Sequence, residues 1–210
     1  MRVSVVIFVL LLTGCVPKMI PMRASLSETV IANTVTSREP VSFVFSSAVS
    51  DGVVQLANRG QNSGDPGYSH TEATTFRKMI QEYAQSRFLS ISTESPVRVI
   101  VCLDDFSIDQ NSSSGGGEMA MTALFGGEIN WVFTATVRAT TTVVKDGKTY
   151  VKTHVANVDG SHVSGIGTGT ESSRIYRGQN ATEYVHSSNI QEANNKIILQ
   201  IDTFLDSLGV

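Results

Sequence analysis

Asp146 and Gly147 stand between two stretches rich in β-branched residues, and this junction limits the folds open to the chain more than any other feature. Residues 129–144 alternate apolar and polar side chains, and residues 150–158 do so again. Lys145-Asp146-Gly147-Lys148 between them reads as a two-residue hairpin turn, whose central positions require positive φ, which Asp tolerates and Gly adopts freely. A long antiparallel hairpin is therefore expected. Thr134, Thr136, Thr140 and Thr142 fall on one side of it by period two, as suits a sheet with one face in water.

Two amphipathic helices are expected to cover the other face. The first opens at a capping-box pattern, Ser69-x-x-Glu72, and repeats Ala73, Phe76, Met79, Ile80, Tyr83 and Ala84 at helical spacing, with Arg77, Lys78, Gln81 and Glu82 on the wet side. The second opens at Ser188-x-x-Gln191, carries Ile190, Ala193, Ile197, Ile198, Ile201, Phe204, Leu205 and Leu208 in one stripe, and stops at Gly209. Between them, residues 97–106 read as a central strand, and residues 41–45 as a first strand with a continuation at 53–56. Residues 61–67, 107–117 and 159–184 are rich in Gly, Ser, Asn and Asp and read as loops or irregular edges. The order β, α, β, β-hairpin, α predicts an α+β domain: a mostly antiparallel sheet with two helices packed on one face.

The beginning of the chain is of a different kind. Arg2 precedes an apolar run, residues 3–12, of about ten residues, the length of a signal-peptide core and too short to span a bilayer. It is followed by Leu12-Thr13-Gly14-Cys15, which resembles the lipobox of bacterial lipoproteins. That resemblance implies cleavage before Cys15 and acylation of its sulfur and new amino group, with Val16 in the next position favouring the outer membrane. Several acyl chains, each CH₂ contributing about 0.8 kcal/mol on insertion, make such an anchor stable without help from the folded part. The expected organisation is a signal peptide over 1–14, a lipidated tether over 15–40, where prolines and polar residues predominate, and a single periplasmic domain over 41–210.

Composition narrows the choice of partner. The chain has 16 basic and 19 acidic residues, with no run of Lys or Arg, so a nucleic-acid partner is not expected. With Cys15 acylated, Cys102 is left without a disulfide partner, and its place in an apolar run suits a buried, inert thiol. Asp104, Asp105 and Asp109 lack the spacing of a calcium loop, and His70, His154, His162 and His186 are too scattered for a zinc site. The serines in 160–165 do not form a nucleophile elbow, and the glycines in 165–169 have no βαβ unit around them. No catalytic residue, cofactor or metal is therefore expected.

The lipobox, the helix over 72–88, the strand over 97–106, the hairpin at Asp146-Gly147 and the stretch Ile190-Gln-Glu-Ala-Asn-Asn-Lys-Ile-Ile together resemble the YajG-type lipoproteins of Gram-negative bacteria. The likeness spans roughly residues 70–208 by order of elements, and the glycine-rich insertion at 112–127 and the long loop at 159–184 depart from it. It implies an envelope lipoprotein and brings no catalytic motif; the residue after Cys15 is what points to the periplasmic face of the outer membrane. The expected function is a non-catalytic accessory or assembly component that docks on another envelope protein; the alternative is a binding module for a lipid or envelope polymer. Met119, Met121, Leu124, Phe125 and Trp131 are the candidate partner contacts, because glycines flank an adaptable apolar cluster there. The same residues also fit an amphipathic turn folded onto the domain's own core.

Overall fold

The computed structural model describes residues 18–34, 36–54, 68–112, 127–166 and 181–210. Four strands form the main sheet: β2 (Val41–Ser47), β5 (Val97–Ser112), β6 (Gly127–Lys145) and β7 (Lys148–Ile166), in the order β2-β5-β6-β7. β5, β6 and β7 pair antiparallel, whereas β2 lies parallel to β5. The parallel pair follows from the connection, because the chain leaves β2 and passes through a helix before returning, whereas a tight turn would give an antiparallel neighbour. Two further strands, β3 (Gly52–Val54) and β4 (Tyr68–His70), form a second small sheet with β1 (Lys18–Met19), in the order β1-β4-β3.

The turn between β6 and β7 is the one read from Asp146-Gly147. Lys145 pairs with Lys148, and Asp146 and Gly147 have φ of 52° and 71°. The hairpin extends further than its alternation suggests: β7 runs on through Asp159 to Ile166, paired in register with β6 down to Gly127. The first eight residues of the stretch 159–184 are therefore strand, because pairing along the whole of β6 outweighs the low strand preference of Gly160, Ser161 and Gly165.

Helices α2 (Glu72–Arg87) and α3 (Ala181–Ser207) cover one face of the main sheet, α2 over β2 and β5, α3 over β6 and β7. Their apolar stripes meet the inward residues of the strands, and Phe76, Ile80, Tyr83, Val99, Val101, Leu103, Val137, Ile197 and Ile201 are all fully buried. This is the expected α+β arrangement, mostly antiparallel with two helices on one face. The helices run side by side in the same direction and are joined by a buried polar lock: Tyr83 Oη donates to Asp202 at 2.7 Å, and Arg87 pairs with Asp202, Asp206 and the Val210 main-chain oxygen.

Neither helix starts where its capping box suggests. Ser69 lies in β4, and α2 begins at Glu72 with Thr71 as a cap whose hydroxyl meets that of Thr75 but accepts from no N–H of the first turn. Asp51 closes the turn instead, accepting from the Thr74 N–H at 3.1 Å and from the Thr74 hydroxyl. Ser188 lies inside α3, which already begins at Ala181. Residues 53 and 54 belong to β3, beside β4, and do not continue β2.

The stretch read as a tether is folded from Lys18 onward. Six residues form helix α1 (Glu28–Asn33), whose cap Ser27 accepts from Val30 N–H, and Ile20, Leu26 and Val30 are buried in the common core. Polar bonds fasten it along α3: Ser187 Oγ donates to Pro21 O at 2.7 Å, Gln191 Nε2 to Ser25 Oγ at 2.7 Å, and the Ser27 N–H to Asn195 Oδ1 at 2.8 Å. These apolar residues are too few and too unevenly spaced for periodicity to reveal them, and their burial depends on grooves built by distant segments.

Candidate functional site

The lipobox and its Cys15, and Met119, Met121, Leu124 and Phe125, lie outside the described residues. Trp131 is a backbone position of β6, opposite Ser112 of β5 and His162 of β7. Among the described residues, the candidate sites are the open face of the sheet, the buried polar groups and the groove beside α1.

The face turned away from the helices is open. One row crosses all four strands as Val44, Ile100, Thr142 and Val151, and the next as Ser46, Cys102, Thr140 and Thr153. Val151 is 62% exposed and Val155, opposite Arg138, is 48% exposed. The threonines occupy this side as period two requires, and Thr140 links it by donating to Asp104 at 2.6 Å. Cys102 is half-buried on this same face, not enclosed in the core as the apolar run around it suggests.

Two of the three aspartates of β5 have structural duties. Asp104 is the extra residue of a bulge between Leu103 and Asp105, and Asp105 faces Arg138 across the strands at 3.4 Å, both half-exposed. Among the described residues, no group of three or more His, Cys, Asp or Glu is placed to hold a metal ion.

Three histidines are core residues. His70 packs on Phe106 with ring centroids 4.7 Å apart, and its Nδ1 accepts the Glu72 N–H at 3.2 Å. His186 packs on Phe133 at 4.4 Å, and His154 faces the edge of Phe204 at 6.0 Å. Burial holds all three below the usual imidazole pKa, His154 and His186 at about 4, so these two are neutral at neutral pH. The neighbouring Lys152 adds to the effect at His154.

Glu72 is the most unusual titratable group. It is fully buried in the first turn of α2, and neither carboxyl oxygen has a well-formed hydrogen bond. Burial pushes its pKa up to about 8; the Asn194 amide beside it offsets part of that rise and the charge of Asp51 adds to it. The capping pattern identifies Glu72 as a helix-start residue but gives no sign of its burial, which is set by α3 packing over it. Asp51 is the opposite case: partial desolvation works against its charge, yet hydrogen bonds from Thr74 and Ala73 hold its pKa below the usual carboxylate value.

A shallow open groove of about 380 Å³ lies between α1 and α3, lined by Ser27, Thr29, Ser188, Gln191, Lys196 and Leu199 among others. Its one cation, Lys196, is already paired with Glu192 at 2.9 Å, so the groove offers polar but largely compensated walls. Nothing in it joins a nucleophile to a base at reacting distance.

No protein family matches the chain, and no curated protein does. Among solved structures it is similar to a DUF330 protein from Xanthomonas campestris, with 11% identity over 90% of this chain and 98% of that one and a TM-score of 0.41. It is similar also to the rare lipoprotein B from Shewanella oneidensis, with 8% identity over 82% of this chain and 100% of that one, at a TM-score of 0.43. A hypothetical protein from Chlamydia trachomatis shares 11% identity over 81% of this chain and 99% of that one, again at 0.43. At these levels the likenesses assign the chain neither a family nor an activity. None of the three is described as a YajG-type protein.

Proposed function

We propose that this chain is a non-catalytic lipoprotein of the bacterial envelope, anchored through acylated Cys15 on the periplasmic face of the outer membrane, whose domain docks on another envelope protein. The observation that carries this reading is Leu12-Thr13-Gly14-Cys15 placed directly after an apolar run of signal-peptide length. In keeping with this reading, Tyr83, Arg87 and Asp202 are engaged in the lock between α2 and α3, and His154 and His186 pack on aromatic rings. The test is crosslinking in cells of the tagged full-length protein and of its Cys15→Ala variant, followed by identification of what co-purifies. The expected result is a discrete envelope protein that is lost or depleted with the variant. Capture of no protein by either form contradicts the docking reading.

A second reading, a binding module for a lipid or envelope polymer, is favoured by the exposed Val44, Val151 and Val155 and the half-buried Ile100 on the open sheet face. Lipid detected by mass spectrometry in protein purified without added lipid, and lost on substituting Val151 and Val155 with Lys, supports this reading. Lipid-free protein contradicts it.

A further inference from the structure

The fold begins almost at the anchor. Lys18 and Met19 pair with Tyr68 and Ser69 of β4, the Ile20 N–H donates to Ser69 O at 2.9 Å, and Ile20 is 1% exposed. Only Val16 and Pro17 separate Cys15 from β1. Three residue steps of fully extended chain reach about 11 Å, so β1 cannot leave the surface that holds the acyl chains by more than that.

The side that is tied down is also defined. From Pro21 to Ser27 the chain follows α3 in its own direction, contacting Ser187, then Gln191, then Asn195. The anchor therefore lies at the N-terminal end of α3. At the other end of α3 lie Arg87, paired with Asp206, and, just beyond Arg87 in the chain, Leu89, 69% exposed. Helical rise between residues 187 and 206 separates the two ends by about 28 Å. Beside the anchor, Met19 is 61% exposed, and Lys18 and Arg23 are the only charged residues between Cys15 and Ser27, both basic. An apolar, flexible Met19 in a segment whose charges are both basic suits an anionic phospholipid surface.

We infer that the short leash holds the β1 end of the domain against the bilayer, with Met19 at the lipid headgroups and the Leu89 end pointing away. This orientation rests on the lipid anchor proposed above. It places the free surfaces of the domain near the anchoring membrane and excludes a long reach across the periplasm.

The test uses full-length, acylated protein in vesicles of phosphatidylethanolamine and phosphatidylglycerol containing a headgroup-nitroxide lipid. A fluorophore is placed by Met19→Cys or by Leu89→Cys, each combined with Cys102→Ser, and the intact mass of each sample is measured. Quenching is expected to be several-fold stronger at position 19 than at 89. A 20-residue Gly/Ser spacer inserted between Pro17 and Lys18, spanning about 25 Å on average, is expected to bring position 19 down to the level of position 89. Equal quenching at the two positions in acylated protein, or a spacer without effect, overturns the orientation alone. A mass showing unmodified Cys15 overturns the anchor and the orientation together.

Discussion

Glu72, His154 and His186 place three titratable groups inside a core that favours their neutral forms, and they give stability opposite dependences on pH. For each histidine the folded pKa, about 4, lies below the ordinary 6.5, so the unfolded chain binds more protons between those values and stability is lost as pH falls through that window. At about 1.4 kcal/mol per unit, each contributes about 3 kcal/mol. For Glu72 the folded pKa, about 8, lies above 4.5, so its contribution is complete at low pH and is lost as pH rises from 4.5 to 8. The two histidines outweigh Glu72 below pH 6.5 and Glu72 acts alone above it, so stability is expected to peak near pH 6.5. Urea unfolding as a function of pH tests this, and Glu72→Gln should abolish the decline between pH 6.5 and 8; an unchanged decline in the variant contradicts the assignment. At Arg87, substitution by Ala leaves Asp202 charged and enclosed, and a loss of roughly 3 to 5 kcal/mol is expected in the same measurement.

At the scale of elements, what could be read in the sequence was whatever is locally encoded. Asp146-Gly147 fixes its turn because positive φ at two consecutive positions is a property of those residues, and the stripes of α2 and α3 show their buried faces through spacing alone. The starts of both helices were not legible, because a Ser-x-x-Glu or Ser-x-x-Gln pattern describes only four residues. Ser69 is a strand residue of β4, paired with β3 and β1, and Ser188 is simply an exposed position of a longer helix. Asp51 caps α2 from 23 residues away, a distance no capping pattern spans. Asp51→Ala should therefore destabilise the protein by about 1 kcal/mol, as loss of an N-cap does, whereas Ser69→Ala, which leaves that cap intact, should change little through capping. Comparable losses in thermal unfolding for the two variants would contradict this assignment. The candidate partner contacts illustrate the opposite limit: glycines and methionines flag 115–131 as unusual, but composition does not say what those residues touch.

The whole molecule is held together from both ends of the chain. Residues 18–34 run along α3 and contribute Ile20, Leu26 and Val30 to the same core that the hairpin and α2 build. Burial of an aliphatic side chain stabilises by about 1.5 to 3 kcal/mol, so this strap is integral to the domain and cannot act as a loose spacer. Ile20→Ala is expected to cost about 2 to 4 kcal/mol; a change within error in chemical denaturation would show that the strap is not packed in solution. The same strap links fold to function, because it brings the folded surface to within a few residues of Cys15. The most direct measurement of the central claim is the intact mass of the mature protein extracted from membranes. A chain beginning at Cys15 and carrying diacylglyceryl and amide-linked acyl additions is expected. A chain that retains residues 1–14, or one that begins at an unmodified Cys15, would contradict it.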